Sequence, residues 1–319
     1  MPVNLDKPLR WKEDIARSVD QYNKWFLRFA PKTYRATRIK VTSEVEAMLE
    51  RTNNLQSITP QELKDHPGIL FALRMSTAPP LARDRLIGLA GVSKSLVQTM
   101  ELRHCLPPKM AKTRLDTDLG RIATLIMRLA DVDIFPWLEA KKTPSQQDVF
   151  RGATIVADRL CGAQADPIVR NAQEQRQLAE IKRWLEARKY EDASGKATLG
   201  TMRPGTFAFR LIVPGLGLDA EAEPVNIPID AVVMPRKAKP GSLPLLIEAK
   251  SAGDFTNVNK RRKEEATKVA MLRRKQGSEV RFILFLCGYF DSGYLGYEAA
   301  EGIDWVWEHR IDDLAKFGL

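Results

Sequence analysis

The chain has 319 residues, 44% of them hydrophobic and 28% charged, which is the composition of an ordinary soluble globular protein with room for two compact cores. No apolar run approaches the roughly 20 residues of a membrane span, and the start from Met1 to Trp11 lacks a signal-peptide core, so we expect a cytoplasmic protein. Lysine and arginine outnumber acids by 50 to 40, and the net charge of +10 favours a polyanionic partner, most commonly nucleic acid.

Cysteine and histidine are too few and too scattered to indicate a site. The chain holds 3 cysteines and 3 histidines, with no CxxC pair and no Cys-His spacing. This pattern predicts neither a disulfide framework nor a zinc site, and it leaves little material for a Ser-His-Asp arrangement.

The first 145 residues are predicted to be mainly helical. Apolar and aromatic side chains recur at three-and-four spacing from Trp11 to Phe29, and Pro31 is predicted to end that helix. A second helix is predicted from Val41 to Leu49. Thr59 followed by Pro60 predicts another helix start, because threonine can cap a helix and proline suits its first turn.

The stretch from Leu81 to Met100 resembles a helix-turn-helix motif. Gly91 to Val97 stands where that motif has its tight turn and second helix. The second helix would enter the major groove of DNA, and the predicted reading residues are Ser93, Lys94, Ser95 and Gln98. An ordinary helical hairpin is the alternative.

A packing helix is predicted from Leu115 to Leu129, where apolar residues form one stripe. The loop-like segment that ends at Ser145 follows it. The predicted boundary therefore divides the chain into residues 1–145 and residues 146–319.

Asp166 and Pro167 are predicted to open a long helix that runs to Tyr190. Glu174 lies about 40° from Leu178 on a helical wheel, so this acid shares the inward side of the helix. An acid on a packing face needs a partner. A salt bridge to a neighbour such as Arg170 is one possibility, and a role in a site is the other.

Three strand-like stretches follow: Thr206 to Val213, ended by a turn at Pro214-Gly215, then Val225 to Val233, then Leu243 to Lys250. Side chains alternate along a strand, so Glu248 and Lys250 share a face. If the second and third stretches pair as a hairpin, Asp230 meets Glu248. Charges beside an apolar strand require a metal, each other or a ligand.

Such a group of residues suits phosphodiester cleavage. A hard ion such as Mg²⁺ binds one or two carboxylates together with water and substrate phosphate, and it neutralises charge that develops on oxygen. A nearby ammonium stabilises the phosphorane. Asp230, Glu248 and Lys250 would supply these groups.

Asp230, 17 intervening residues and Glu248-Ala249-Lys250 resemble the PD-(D/E)XK nuclease motif, with Ile229 in place of the residue written P. Four further segments resemble the XamI type of type II restriction endonucleases: Asp254 to Asn257, Lys260 to Ala266, Cys287 to Asp291 and Ile303 to Arg310.

The resemblance implies an α+β or α/β fold, with a helical region that grips and reads DNA over residues 1–145 and a PD-(D/E)XK domain over residues 146–319. That domain has a mixed central sheet flanked by helices. Asp230, Glu248 and the Ala249 carbonyl would bind Mg²⁺, Lys250 would activate water, and Glu174 would be a third acid.

It also implies the substrate and the partners. A homodimer would cut both strands of double-stranded DNA at a short palindrome, suggested as GTCGAC, and a companion DNA methyltransferase would protect the host.

The segment after the catalytic strand is polar and then strongly basic. This composition predicts contacts to DNA phosphates, and the basic run is predicted to begin a helix. The residues concerned are Ser251, Asn257, Lys260, Arg261, Arg262 and Lys263. A solvated charged face is the alternative. Val280 to Cys287 predicts a buried strand, and Trp305 and Trp307 predict a last strand that passes into a short helix.

Two other functions fit the sequence at this point. One is a repair or recombination nuclease with the same catalytic fold and structure-specific substrates. The other is a non-enzymatic helix-turn-helix regulator in which the acids form structural ion pairs.

Overall fold

The computed structural model describes residues 2–219, 222–256 and 258–319, and the side chains of residues 258–262 lie outside this description. The chain forms two compact units. One contains the residues up to Phe29 together with Arg170–Leu319, and the other contains Ala30–Val169. The units therefore differ from the predicted division at residue 145.

Two helices are longer than the sequence predicts. Helix α1 spans Pro8–Arg51 with Pro31 inside it, and helix α8 spans Gln146–Ala187 with Pro167 inside it. The predictions that Pro31 ends a helix and that Pro167 opens one are wrong. An internal proline costs about 3 kcal/mol, but buried side chains lie on both sides of each proline, so packing outweighs that cost.

Shorter helices lie between α1 and α8, in a stretch that is described throughout. They are α2 Pro60–Asp65, α3 Leu70–Met75, α4 Arg83–Ala90, α5 Lys94–Arg103, α6 Lys112–Leu129 and α7 Trp137–Ala140. The predicted start at Thr59 is confirmed, because its hydroxyl accepts a hydrogen bond from the Glu62 N–H at 3.1 Å. The predicted stripe of α6 is buried as well.

The other unit is built on a mixed sheet of six strands in the described residues, in the spatial order β1 to β6. The strands are β1 Glu191–Asp192, β2 Thr206–Leu216, β3 Pro224–Val233, β4 Leu245–Ala252, β5 Arg281–Gly288 and β6 Asp304–Trp307. Strands β2, β3 and β4 pair antiparallel, whereas β1 with β2, β4 with β5, and β5 with β6 pair parallel. The predicted turn at Pro214-Gly215 is wrong, because both residues continue the ladder to β3.

Helices cover both faces of this sheet. The C-terminal part of α8 packs on one face through Ile181 and Leu185, which contact the side of the sheet that carries Ile247. Helices α9 Val258–Gln276 and α10 Ser292–Ala300 pack on the opposite face, where Trp305 and Trp307 are fully buried. The α+β fold class with a mixed sheet flanked by helices is thus confirmed.

The start of the chain belongs to the sheet unit for a specific reason. The backbone N–H groups of Val3 and Asn4 donate to the buried carboxylate of Asp304 at 2.5 and 3.0 Å. The Trp11 ring packs edge-on against Trp305 with their centroids 5.5 Å apart. A linear reading of hydrophobic pattern cannot detect such contacts between residues about 300 positions apart.

None of the helices in the described ranges combines the length and the apolar character that crossing a bilayer requires.

Candidate active site

The candidate site lies where β3 and β4 separate. Their ladder pairs Ala231 with Ile247 and continues to Val233 with Leu245, so the next step of the register places Asp230 opposite Glu248 on one face. The Ala249 N–H donates to Asp230 Oδ2 at 2.8 Å. Because no ladder pair joins the two strands beyond this point in the described residues, the carboxylates stand at an opening between strands.

An open pocket of about 290 Å³ adjoins the two carboxylates. It is lined by Arg170, Gln173, Glu174, Gln177, Asp230, Glu248, Ala249, Lys250 and Ser251. The structure therefore brings together Asp230, Glu248, Lys250 and Glu174, which sequence reasoning selected.

Glu248 has an unequal environment at its two oxygens. Oε1 lies 2.7 Å from Lys268 Nζ and 3.2 Å from Lys250 Nζ. Oε2 is buried and has no hydrogen-bond partner among the described residues. Lys268, on α9, was missed by sequence reasoning because most apolar residues of that helix fall in a short run, Val269 to Leu272, and the first half of the helix, which precedes Lys268, is strongly polar.

Burial and like charge perturb the pKa of the Asp230 carboxyl group. Burial, followed by the neighbouring charge of Glu248, raises the pKa of Asp230 from 3.8 to about 6. Burial acts to lower the pKa of Lys250, but the charges of Glu248 and Glu265 outweigh it and raise that pKa above its ordinary value. The site thus concentrates negative charge and keeps its lysine cationic at neutral pH.

The donor groups fit a hard divalent cation. Asp230 and Glu248 converge with like charge, and within the described ranges the buried Oε2 of Glu248 lacks a hydrogen-bond partner. No group of three or more His, Cys, Asp or Glu side chains in the described ranges could hold a metal. Two carboxylates and one carbonyl are nevertheless sufficient for Mg²⁺, which usually completes its shell with water and substrate phosphate.

Glu174 lines the same pocket and forms an ion pair with Arg210 Nη2 at 2.7 Å. Arg170, the partner considered from sequence, lies in the same pocket lining. Arg210 was not selected from sequence. The β2–β3 ladder pairs Phe209 with Ala231 and Leu211 with Ile229, so Arg210 and Asp230 fall at the same level between these two pairs. Its φ of 52° is left-handed, which costs a non-glycine residue roughly 1–2 kcal/mol and is a feature that clusters at functional sites.

Comparison with known proteins decides the family. Residues 53–307 match the family model described as XamI restriction endonuclease, and this span is most of the chain. The chain belongs to the XamI restriction endonuclease family.

A curated relative agrees with that assignment. The type II restriction enzyme SalI of Streptomyces albus G is 56% identical over 319 residues, which cover 99% of this chain and 99% of SalI. A solved structure, protein VC1899 from Vibrio cholerae, is 11% identical, with a TM-score of 0.27 over 87% of this chain and 55% of that one. That TM-score is too low to support an inference.

Membership of the XamI family identifies this chain as a type II restriction endonuclease, a site-specific deoxyribonuclease whose substrate is DNA. The two alternatives left open by the sequence, a repair nuclease and a non-enzymatic regulator, are set aside by this assignment.

In this XamI-family enzyme, helices α4 and α5 are joined by a short turn at Gly91, an arrangement that both a helix-turn-helix motif and an ordinary helical hairpin require. Gly91 ends α4 with φ of 62°, a left-handed conformation that glycine adopts without a steric penalty. Ser93 caps α5 by accepting a hydrogen bond from the Leu96 N–H at 3.2 Å. Lys94 and Ser95 are exposed and Gln98 is half-buried. Their role in DNA reading remains a prediction.

The other predicted DNA contacts lie in the sheet unit. Ser251 belongs to β4 and lines the pocket, and Lys263 is exposed on α9. Asn257 lies outside the described residues, as do the side chains of Lys260, Arg261 and Arg262.

Proposed function

We propose that this XamI-family endonuclease hydrolyses both strands of duplex DNA with Mg²⁺ held at the opening between β3 and β4. The observation that carries the proposal is the convergence of Asp230, Glu248 and Lys250 on one face of the sheet, beside an open pocket. In a protein that cleaves DNA, the buried carboxylate of Glu248 and the half-buried carboxylate of Asp230 beside a lysine fit metal-assisted phosphodiester hydrolysis better than structural ion pairing.

Asp230, Glu248 and the Ala249 carbonyl are the groups that would hold the cation. When bound, Mg²⁺ supplies positive charge to the scissile phosphate and to the oxygens on which charge develops. Lys250 positions the attacking water and donates hydrogen bonds to the phosphorane oxygens. Glu174 is proposed as a third acid at the mouth of the pocket, where its ion pair with Arg210 keeps its carboxylate oriented.

DNA recognition is divided between two sets of residues. The first set lies at the start of α5, because a helix-turn-helix motif places its second helix in the major groove. The residues proposed to read or approach base edges there are Ser93, Lys94, Ser95 and Gln98. Ser251, Asn257 and Lys260 to Lys263 are proposed to contact phosphates, which gives affinity but no sequence information.

The proposed substrate site is a short palindrome, with GTCGAC suggested by the XamI-type resemblance. One catalytic site per chain and two strands to cut favour a homodimer with two-fold symmetry that matches the palindrome. A companion DNA methyltransferase is proposed as the partner that protects host DNA.

Incubation with plasmid and phage DNA tests the function directly. We expect discrete fragments in Mg²⁺, no cleavage with a chelator, and cutting of a duplex that contains GTCGAC but not of a matched duplex with that hexamer scrambled. Discrete fragments from both duplexes would contradict the proposed sequence, whereas cleavage that persists without any divalent ion would contradict the proposed chemistry.

The reading role of α5 makes a separate prediction. Gln98→Ala is expected to weaken binding to the specific duplex by about 1–3 kcal/mol and to leave nonspecific binding unchanged, because base-edge contacts carry specificity. Lys94→Ala is expected to weaken both and to reduce the salt dependence. Fluorescence anisotropy in Ca²⁺ measures these affinities, with the exposed Lys142→Ala as a control. Equal losses for Lys94→Ala and Lys142→Ala would argue against a contact from α5.

A further inference from the structure

Lys250 has a second acidic partner that no sequence motif indicates. Its Nζ lies 2.7 Å from Glu265 Oε1, closer than its 3.2 Å distance from Glu248 Oε1. Glu265 projects from α9 and is 1% exposed. A buried acid this close to the lysine proposed to act on phosphate requires an explanation.

The surroundings of Glu265 leave one of its carboxyl oxygens directed at Lys250. Its Oε2 is buried and has no hydrogen-bond partner in the described part of the chain. Behind it, Glu298 of α10 is fully buried, and burial followed by the charge of Glu265 raises the pKa of Glu298 to about 8. Glu298 therefore stays largely protonated at neutral pH. Glu265 is the acid whose oxygen lies in direct contact with the Lys250 ammonium.

Several cations compete for the Glu248 carboxylate, and this competition indicates what Glu265 does. Two ammonium groups, those of Lys250 and Lys268, already contact Glu248 Oε1. An ammonium drawn fully onto Glu248 would compete with a divalent cation for the same carboxylate. Glu265 offers the Lys250 ammonium a second carboxyl group, which lies on helix α9.

We propose that Glu265 is a positioning residue that holds the Lys250 ammonium in place for the scissile phosphate and leaves the Glu248 carboxylate available to a divalent cation. This inference rests on the proposed function, since it assumes that Lys250 acts in the cleavage site. Glu265 contacts neither substrate nor metal in this arrangement and acts through Lys250.

A purely structural ion pair would behave differently from a positioning residue. Loss of a structural pair lowers stability and affects all activities through the folded fraction. Loss of a positioning residue changes the cleavage rate and the metal affinity of an enzyme that is still folded. Mutation of residues that orient metal ligands typically lowers activity or metal affinity by about 10- to 100-fold, and we expect an effect of similar size here.

The test compares Glu265→Gln with Glu264→Gln, an exposed neighbour on the same helix. Three quantities are measured: Mn²⁺ affinity without DNA by calorimetry, DNA affinity in Ca²⁺, and the single-turnover cleavage rate at saturating Mg²⁺. For Glu265→Gln we expect a rate about 10- to 100-fold lower and weaker Mn²⁺ binding with unchanged DNA affinity. Glu264→Gln is expected to match the wild type in all three.

The Glu298→Gln variant distinguishes the effect of losing a buried carboxyl group from the effect of losing the contact with Lys250. It removes a buried carboxyl that does not carry the charge facing Lys250, so its cleavage rate is expected to match the wild type. If Glu298→Gln slows cleavage as much as Glu265→Gln, general disturbance of the buried acids explains both, and the positioning role is overturned.

Two further variants keep the outcome decisive. If Glu265→Gln fails to fold, Glu265→Asp withdraws the carboxylate from Lys250, and a slower rate in the folded enzyme supports the role whereas an unchanged rate overturns it. Lys250→Ala tests the underlying site. An inactive Lys250→Ala beside a fully active Glu265→Gln rejects the positioning role alone, and a fully active Lys250→Ala rejects the proposed cleavage site.

Discussion

Asp230→Asn is expected to lower the rate of Mg²⁺-dependent cleavage by about three orders of magnitude and, at the same time, to stabilise the metal-free protein. Loss of a carboxylate ligand removes several kcal/mol of transition-state stabilisation. A loss of about 4 kcal/mol corresponds to a rate that is about a thousandfold lower. Glu248→Ala is expected to lose cleavage to a similar extent. Gel-based single-turnover assays measure both losses.

The gain in stability follows from the direction of the pKa shift. Burial and Glu248 raise the pKa of Asp230 from 3.8 to about 6, so the folded protein binds this proton more tightly than the unfolded chain. The stabilising contribution of the protonated form is complete below pH 3.8 and is lost as the pH rises through about 6. Asparagine carries no charge, so the variant gains on the order of 1–2 kcal/mol at pH 8 and much less at pH 4.

Urea denaturation in the presence of a chelator, at pH 4 and pH 8, checks this dependence. The control is Asp20→Asn, which changes an exposed acid in the same unit and is expected to alter neither stability nor cleavage. An Asp230→Asn enzyme that cleaves at the wild-type rate would remove Asp230 from the proposed metal site. A variant that is less stable at pH 8 would contradict the charge repulsion between the carboxyl groups.

Glu101→Ala is expected to lower the free energy of unfolding of the helical unit by about 3–5 kcal/mol, because it leaves a buried cation without its partner. The Glu101 side chain is completely buried on α5, and its Oε2 lies 3.1 Å from Arg74 Nη2 and 2.7 Å from Arg83 Nε. Arg74 is itself buried. This pair joins α3 to α5, the helix that carries the predicted reading residues.

Thermal and denaturant unfolding of the full chain measure the loss. The exposed acid Glu46 in the same unit provides the control, and Glu46→Ala is expected to change stability by less than about 0.5 kcal/mol. The double variant Arg74→Met with Glu101→Leu is expected to recover most of the loss, since an apolar pair avoids the desolvation penalty of a buried ion pair. A loss below about 1 kcal/mol for Glu101→Ala would show that the site accommodates a lone guanidinium.

Local sequence rules were sufficient to predict those features of the structure that depend only on residues a few positions apart. Alternation along β4 places Glu248 and Lys250 on one face, and the β3–β4 hairpin then determines where Asp230 lies. The Thr59 cap and the Gly91 turn follow from equally local chemistry. The same rules failed at Pro31 and at Pro167, because packing on either side of a proline can outweigh its intrinsic cost.

The sequence by itself determined the family through its motifs, and the family resemblance implied the mixed sheet. The sequence also selected the carboxylate and lysine residues of the candidate site, because motif spacing and strand alternation are properties of neighbouring positions. Only the tertiary structure decided which other side chains contact the acids and the lysine of the candidate site. Lys268 and Glu265 reach the site from α9, and Arg210 reaches Glu174 from β2. These contacts depend on how helices pack against a sheet and on one left-handed residue, and neither feature leaves a periodic signal in the chain.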